Sequence, residues 1–222
     1  PFAFDAAKGT HIGVLKRGAP VSEIRWIEGP LCFVFHYQNA WNDGDQITVD
    51  TIEFAVAPNF PLVDGTLPSY ADAQGKLVRW HINLKNGEVK LEPVLDVASE
   101  FPRMDERYTG HRYRHGYIAA ASTRQRGDKG LFHEITHIDL DSGKTRTWDA
   151  GVGNGVSEPV FVPESEGAAE GVGWLLATVF KSDTNNSELV VLNAAAVNDG
   201  PVANVQLDHR IPFGFHGSWR NN

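Results

Sequence analysis

Two stretches of this sequence follow one plan at an offset of 56 residues. Trp80-His81-Ile82-Asn83-Leu84-Lys85-Asn86-Gly87 is matched by Thr136-His137-Ile138-Asp139-Leu140-Asp141-Ser142-Gly143. Around the first, Val78, Trp80, Ile82 and Leu84 alternate with polar residues, Asn86-Gly87 predicts a two-residue turn, and Val89 and Leu91 resume the alternation. A third strand–turn–strand follows roughly 50 residues later, with Glu188 to Leu192, the turn Asp199-Gly200, and Val202 to Leu207. Hairpins recurring at that period are the signature of propeller blades, so the predicted fold is an all-β β-propeller. At that period the 222 residues make about four blades.

The remaining segments agree. Ile24 to Phe35 is apolar and rich in β-branched and aromatic residues, Asn42-Asp43-Gly44-Asp45 is a turn signal, and Gln46 to Val56 alternates as a strand. Pro58 to Pro68 reads as a loop, and no segment carries an amphipathic helix of three turns. Gly 22 and Pro 12 supply the turns that such a fold consumes.

Charge narrows the partners. A net charge of −8 argues against a nucleic-acid surface and against electrostatic docking on anionic membranes. No apolar run approaches the ~20 residues that span a bilayer, so no transmembrane segment is expected. The one cysteine, Cys32, lies in the apolar run Leu31-Cys32-Phe33-Val34-Phe35 and reads as a small buried hydrophobe. That thiol usage fits a reducing compartment, and a cytoplasmic location is expected.

Several motifs carry chemistry. His133-Glu134-Ile135-Thr136-His137 matches the zinc-protease pattern, which needs both histidines on one helix face. Here the β-branched residues and the Asp-Ser-Gly turn predict a strand with surface histidines, which would hold His133 and His137 about 13 Å apart. His111 and His115, among Arg112 and Arg114, read as solvated or hydrogen-bonded polar residues.

His36 and His216 stand apart. Each is flanked by aromatic residues, in Phe35-His36-Tyr37 and in Phe213-Gly214-Phe215-His216-Gly217. Pro212 removes a backbone donor, and Gly214 and Gly217 permit irregular geometry that aims a side chain. Glu100 and Glu158 lie beside prolines and apolar residues, where an acid is costly to bury unless paired. A metal-bound imidazole needs an acceptor for its other N–H, so these four residues can form two histidine–carboxylate units. Salt bridges from Glu100 to Arg103 or Arg107 are the competing reading.

Phe35-His36-Tyr37-Gln38-Asn39-Ala40-Trp41-Asn42-Asp43-Gly44-Asp45, Glu100-Phe101-Pro102-Arg103 with Arg107-Tyr108, Glu158-Pro159-Val160-Phe161-Val162-Pro163 and Pro212-Phe213-Gly214-Phe215-His216-Gly217-Ser218-Trp219 occur in that order. In these stretches the chain resembles the carotenoid cleavage oxygenase family, which includes the lignostilbene dioxygenases. The resemblance implies a seven-bladed propeller in which four histidines hold a non-haem Fe(II) and three glutamates support them. By it, His36 and His216 are the third and fourth metal ligands, and Glu100 and Glu158 the supporting acids for His36 and His216 respectively. Residues 1–222 would then be the carboxy-terminal part of a single propeller domain that requires its amino-terminal half.

The implied activity is cleavage of a C=C bond by O₂ to two carbonyl products, with no organic cofactor. The implied substrate is a hydrophobic alkene, an apocarotenoid or a stilbenoid. Phe60, in Ala57-Pro58-Asn59-Phe60-Pro61, resembles an aromatic wall of the stilbene-cleaving members. The alternatives are a non-catalytic propeller used as a scaffold and, more remotely, the zinc protease.

Overall fold

The alternation of Val78, Trp80 and Ile82 buries one face of a strand. In the computed structural model, which describes residues 2–122 and 132–220, that face forms part of a core. The chain divides into two compact units, Pro1–Leu95 and Asp96–Asn222. Among the described residues the regular elements are β-strands and short 3₁₀ turns.

In the first unit, β1 (His11–Val14) pairs antiparallel with β2 (Arg25–Glu28). A four-stranded antiparallel meander follows: β3 (Phe33–Asp43), β4 (Gln46–Phe54), β5 (Lys76–Asn83) and β6 (Val89–Leu95). Ile27, Val78, Trp80 and Ile82 form a buried cluster against which Ile12, Val34, Ile47 and Val89 pack. Burying each such aliphatic side chain contributes about 1.5–3 kcal/mol. The one large charge inside is neutralised: Asp50, fully buried, accepts from Arg79 Nε at 2.7 Å and Nη2 at 2.9 Å.

The second unit holds two sheets. The first is a meander of β7 (Ala98–Met104), β8 (His115–Ala121), β9 (Glu134–Asp139) and β10 (Lys144–Asp149). The second joins β11 (Gly155–Val156), β12 (Val160–Pro163), β13 (Gly173–Lys181), β14 (Asn186–Asn193) and β15 (Pro201–Gln206). Tyr117, Ile135, Phe161, Leu175, Val190 and Leu192 belong to its core. The chain is all-β, and its antiparallel meanders are the blades of a β-propeller.

The repeat is written in hydrogen bonds. Asn83 Oδ1 accepts from Lys85 N at 2.8 Å, and Asp139 Oδ1 accepts from Asp141 N and Ser142 N at 3.2 Å. Gly87 N and Gly143 N donate to the carbonyls of Asn83 and Asp139 at 2.8 and 2.7 Å. Both glycines have positive φ, +76° and +68°, the region where a side chain is strained. The β5–β6 connection is therefore longer than the two-residue Asn86-Gly87 turn expected. It spans 84–88, because the Asn83 side chain nucleates its own turn first.

Candidate metal centre

The histidine segment at the end of the chain has no strand partner, so side chains hold it. Buried Ser187, on β14, fixes its start: Ile211 N donates to Ser187 Oγ at 3.0 Å, and Leu207 N to Ser187 O at 3.1 Å. Phe213 then packs edge-on against Phe180 at 5.8 Å, and Arg210 lies over both rings. Five residues further along, Glu158 takes over. Its Oε1 lies 3.1 Å from His216 Nδ1, and its Oε2 accepts from Gly217 N at 2.9 Å. The Glu158 side chain is 4% exposed and that of His216 is 55% exposed. Hollows of ≈ 290 and ≈ 240 Å³ flank this segment, the second lined by Phe101, Phe132, Phe180, Phe213 and Phe215.

Glu100 is buried on β7, the edge strand of its sheet. The register of β7 against β8 shifts between Glu100 and Arg103. Phe101, inside that bulge, has φ +55°, and Pro102 follows, a residue that strands tolerate at edges and bulges. The bulge turns the Phe101 ring toward the tail, 6.3 Å from the His216 ring and 6.4 Å from Phe215. Arg103 pairs with Glu158 and Glu106, and Arg107 with Asp105.

His36 lies in the first unit, on β3, and is half-buried. One register irregularity, between Val34 and Tyr37, contains it, and a second follows between Tyr37 and Asn39. Thr51 Oγ1 donates to the His36 carbonyl at 3.1 Å and fixes the irregular backbone. Phe60 is held beside Phe33 at 6.5 Å, Phe33 beside Phe35 at 4.6 Å, and Phe35 beside His36 at 6.3 Å. Phe60 thus belongs to an aromatic row that leads to His36. Cys32, half-buried nearby, has its thiol pushed up to about 11 by burial and by Glu53, so it is not a reactive thiolate.

Glu134 to Asp139 is a strand, which removes the helix a zinc protease requires. The expected strand is present, but His133 and His137 are buried, not on the surface. His137 Nε2 meets His115 Nδ1 at 2.9 Å and stacks on Tyr117, while His133 Nδ1 faces Asp149 at 3.4 Å. His133, Glu134 and Asp149 form the one grouping of three metal-type donors among the described residues. Glu134 is already committed there, accepting from the Ser122 backbone N–H at 2.8 Å and from its hydroxyl.

An imidazole whose Nδ1 rests on a buried carboxylate has its tautomer fixed and presents Nε2 as the metal-binding nitrogen. The donor chemistry of His216 therefore fits a metal site. The antiparallel blades define a β-propeller. The chain belongs to the carotenoid cleavage oxygenase family: the family profile described as retinal pigment epithelial membrane protein matches residues 1–221. It is 34% identical over 228 residues to an isoeugenol monooxygenase of Pseudomonas nitroreducens, covering 98% of this chain and 48% of that protein. It is also 34% identical over 233 residues to lignostilbene-alpha,beta-dioxygenase isozyme III of Sphingomonas paucimobilis, again with 98% and 48% covered. Among solved structures it resembles the Pseudomonas brassicacearum lignostilbene dioxygenase, with a TM-score of 0.89 at 29% identity, over 95% of this chain and 46% of that one. Cobalt-substituted Synechocystis ACO matches with a TM-score of 0.84 at 31% identity, over 96% and 44%. The chain spans about half the length of the curated relatives it matches.

Proposed function

We propose that this chain supplies half of the metal site of a non-haem Fe(II) dioxygenase that cleaves the C=C bond of a stilbenoid or apocarotenoid. The observation that carries the reading is the contact of His216 Nδ1 with buried Glu158. His36 and His216 would be two of four imidazole ligands, with Glu100 and Glu158 holding ligand rings from behind. The other two ligands belong to an amino-terminal half of the propeller. Four neutral imidazoles would leave a ferrous ion its full charge, and the ion when bound would supply O₂ activation for cleavage to two carbonyl products.

The residues of this chain do the rest. Glu158 keeps the Nδ1 proton of His216 and so keeps Nε2 a lone-pair donor. Phe101 and Phe215 flank the ring, and the aromatic hollow beside them is suited to an apolar, planar substrate. Phe60 would form a wall for an aromatic substrate at the His36 side. The relatives named for isoeugenol and lignostilbene favour the aromatic alkene over the apocarotenoid, although relatives named for carotenoid cleavage also match. No helix among the described residues is long and apolar enough to cross a membrane. The use of a single cysteine, Cys32, fits a cytoplasmic setting.

The test is iron content and O₂-dependent stilbene cleavage by the whole protein, wild type against His216→Ala. Loss of both together supports the reading. Full iron and full activity in the variant would remove His216 from the site and favour a non-catalytic scaffold.

A further inference from the structure

Deepening this reading of His216 as a ligand, we infer that Arg103 is its positioning residue. One guanidinium nitrogen holds both the carboxylate behind the imidazole and the peptide that follows it. Arg103 Nη1 donates to Glu158 Oε2 at 2.7 Å and to the Gly217 carbonyl at 3.1 Å. Gly217 N donates to the same Glu158 oxygen at 2.9 Å. The three contacts close a ring: arginine to carboxylate, carboxylate to peptide N–H, peptide C=O back to arginine. Both polar groups at the Gly217 residue are thereby used, directly after the histidine.

The geometry explains why this ring is needed. Residues 207–220 lie outside the β-ladders, so no strand neighbour fixes where His216 sits. A strand residue inherits its position from the sheet, whereas this one must be gripped by side chains. Glu158 alone fixes the ring nitrogen, but a buried carboxylate with no cation beside it would be costly to keep charged. Arg103 supplies that cation from β7 and is itself anchored by Glu106 in the turn Glu106–Tyr108. The bulge at Phe101 sets the direction in which Arg103 leaves β7. A lysine would keep the charge but not the fork that serves several acceptors at once.

The experiment uses the whole protein with Co(II) as the probe, in wild type, Arg103→Met and Arg103→Lys. Two quantities are measured: amide hydrogen exchange at Gly217 without metal, and the rate of Co(II) release to a chelator, followed by its visible absorption bands. In Arg103→Met, exchange at Gly217 and Co(II) release should each rise about tenfold, at the lower end of what outer partners of metal ligands are worth. Arg103→Lys should fall between, with more of the metal retention restored than of the Gly217 protection. A folded Arg103→Met with wild-type values for both would overturn the proposal. Should Arg103→Met fail to fold, Arg103→Lys decides, and wild-type behaviour in both measurements overturns it equally. A wild-type protein that takes up no Co(II) would sink the metal reading itself. Gly217 exchange would still show separately whether Arg103 holds the peptide.

Discussion

His216 Nδ1 lies 3.1 Å from Glu158 Oε1, across 58 residues of sequence. The same carboxylate accepts from Gly217 N and from Arg103 Nη1 with its other oxygen. A side chain with 4% exposure therefore satisfies three donors with two oxygens. A glutamate can do this and a glutamine cannot, because half of an amide is a donor.

Glu158→Gln follows from that count. The amide oxygen can replace Oε2 and still accept from Gly217 N and Arg103 Nη1, but the NH₂ group then faces the protonated Nδ1 of His216, donor against donor. Stability should fall by about 1–3 kcal/mol for the mismatched buried donors. Metal affinity should fall about 10–100-fold, as for other residues that orient a ligand imidazole. Urea unfolding and chelator competition read the two effects, and unchanged affinity would remove Glu158 from its orienting role.

Tyr117→Phe should leave stability unchanged or raise it. Tyr117 is fully buried between His137 and Phe161, and its hydroxyl has no hydrogen-bond partner among the described residues. Burial holds the phenol far above its ordinary titration range. Removing an unsatisfied buried polar group keeps the ring stacking and drops the desolvation penalty. A loss above about 1 kcal/mol in urea unfolding would reveal a partner for that hydroxyl.

Gly173→Ala should behave oppositely. Gly173 pairs with Pro163 between β13 and β12, and a Cβ there would come within 2.2 Å of the Val162 carbonyl oxygen. The obstacle is backbone inside a ladder and cannot rotate away, so relief requires separating two strands. Overpacking of this kind costs about 1–3 kcal/mol or more. A thermal melt within a degree of wild type would show that β12 can shift to make room.

What could be read from the sequence was what periodicity writes. The hairpins β5–β6 and β9–β10 were legible because alternation and turn residues recur at a fixed offset, down to Asn83 and Asp139 filling one role. The company these residues keep suggested histidine–carboxylate units without saying which acid meets which ring, and it was the family resemblance that implied Glu158 beside His216, where a contact is found. Arg103 as a clamp was not legible, since its partner lies 55 residues away and no local pattern links them. The bulges at His36 and Phe101 were equally hidden, because an inserted residue leaves an ordinary-looking strand sequence. His133 and His137 look polar in sequence and are buried because His133 faces Asp149 and His137 meets His115 on β8.

That last pairing predicts a pH dependence. His137 on β9 meets His115 on β8, with Arg114, Asp139, Arg146 and Glu170 around them. Burial, then the neighbouring His115 and Arg146, push His137 down to about 4, and burial pushes His115 down as well. In the folded protein at neutral pH both rings therefore stay neutral, and His137 Nδ1 is buried with no hydrogen-bond partner among the described residues. In the unfolded chain a histidine titrates near 6.5. A group whose folded pKa is depressed in this way binds protons more readily when unfolded. Its stabilisation is complete above pH ~6.5 and drains away as pH falls from there toward ~4. The loss attributable to His137 is on the order of 2–3 kcal/mol, and His115 adds to it in the same direction. Urea unfolding of wild type and His137→Phe at pH 7.5 and pH 4.5 separates this from carboxylate titration, which both proteins share. Wild type should lose more stability across that interval than the variant, whose phenyl ring keeps the stack on Tyr117 and carries no proton. Equal losses in the two proteins would mean that the buried imidazole pair is not what responds to acid.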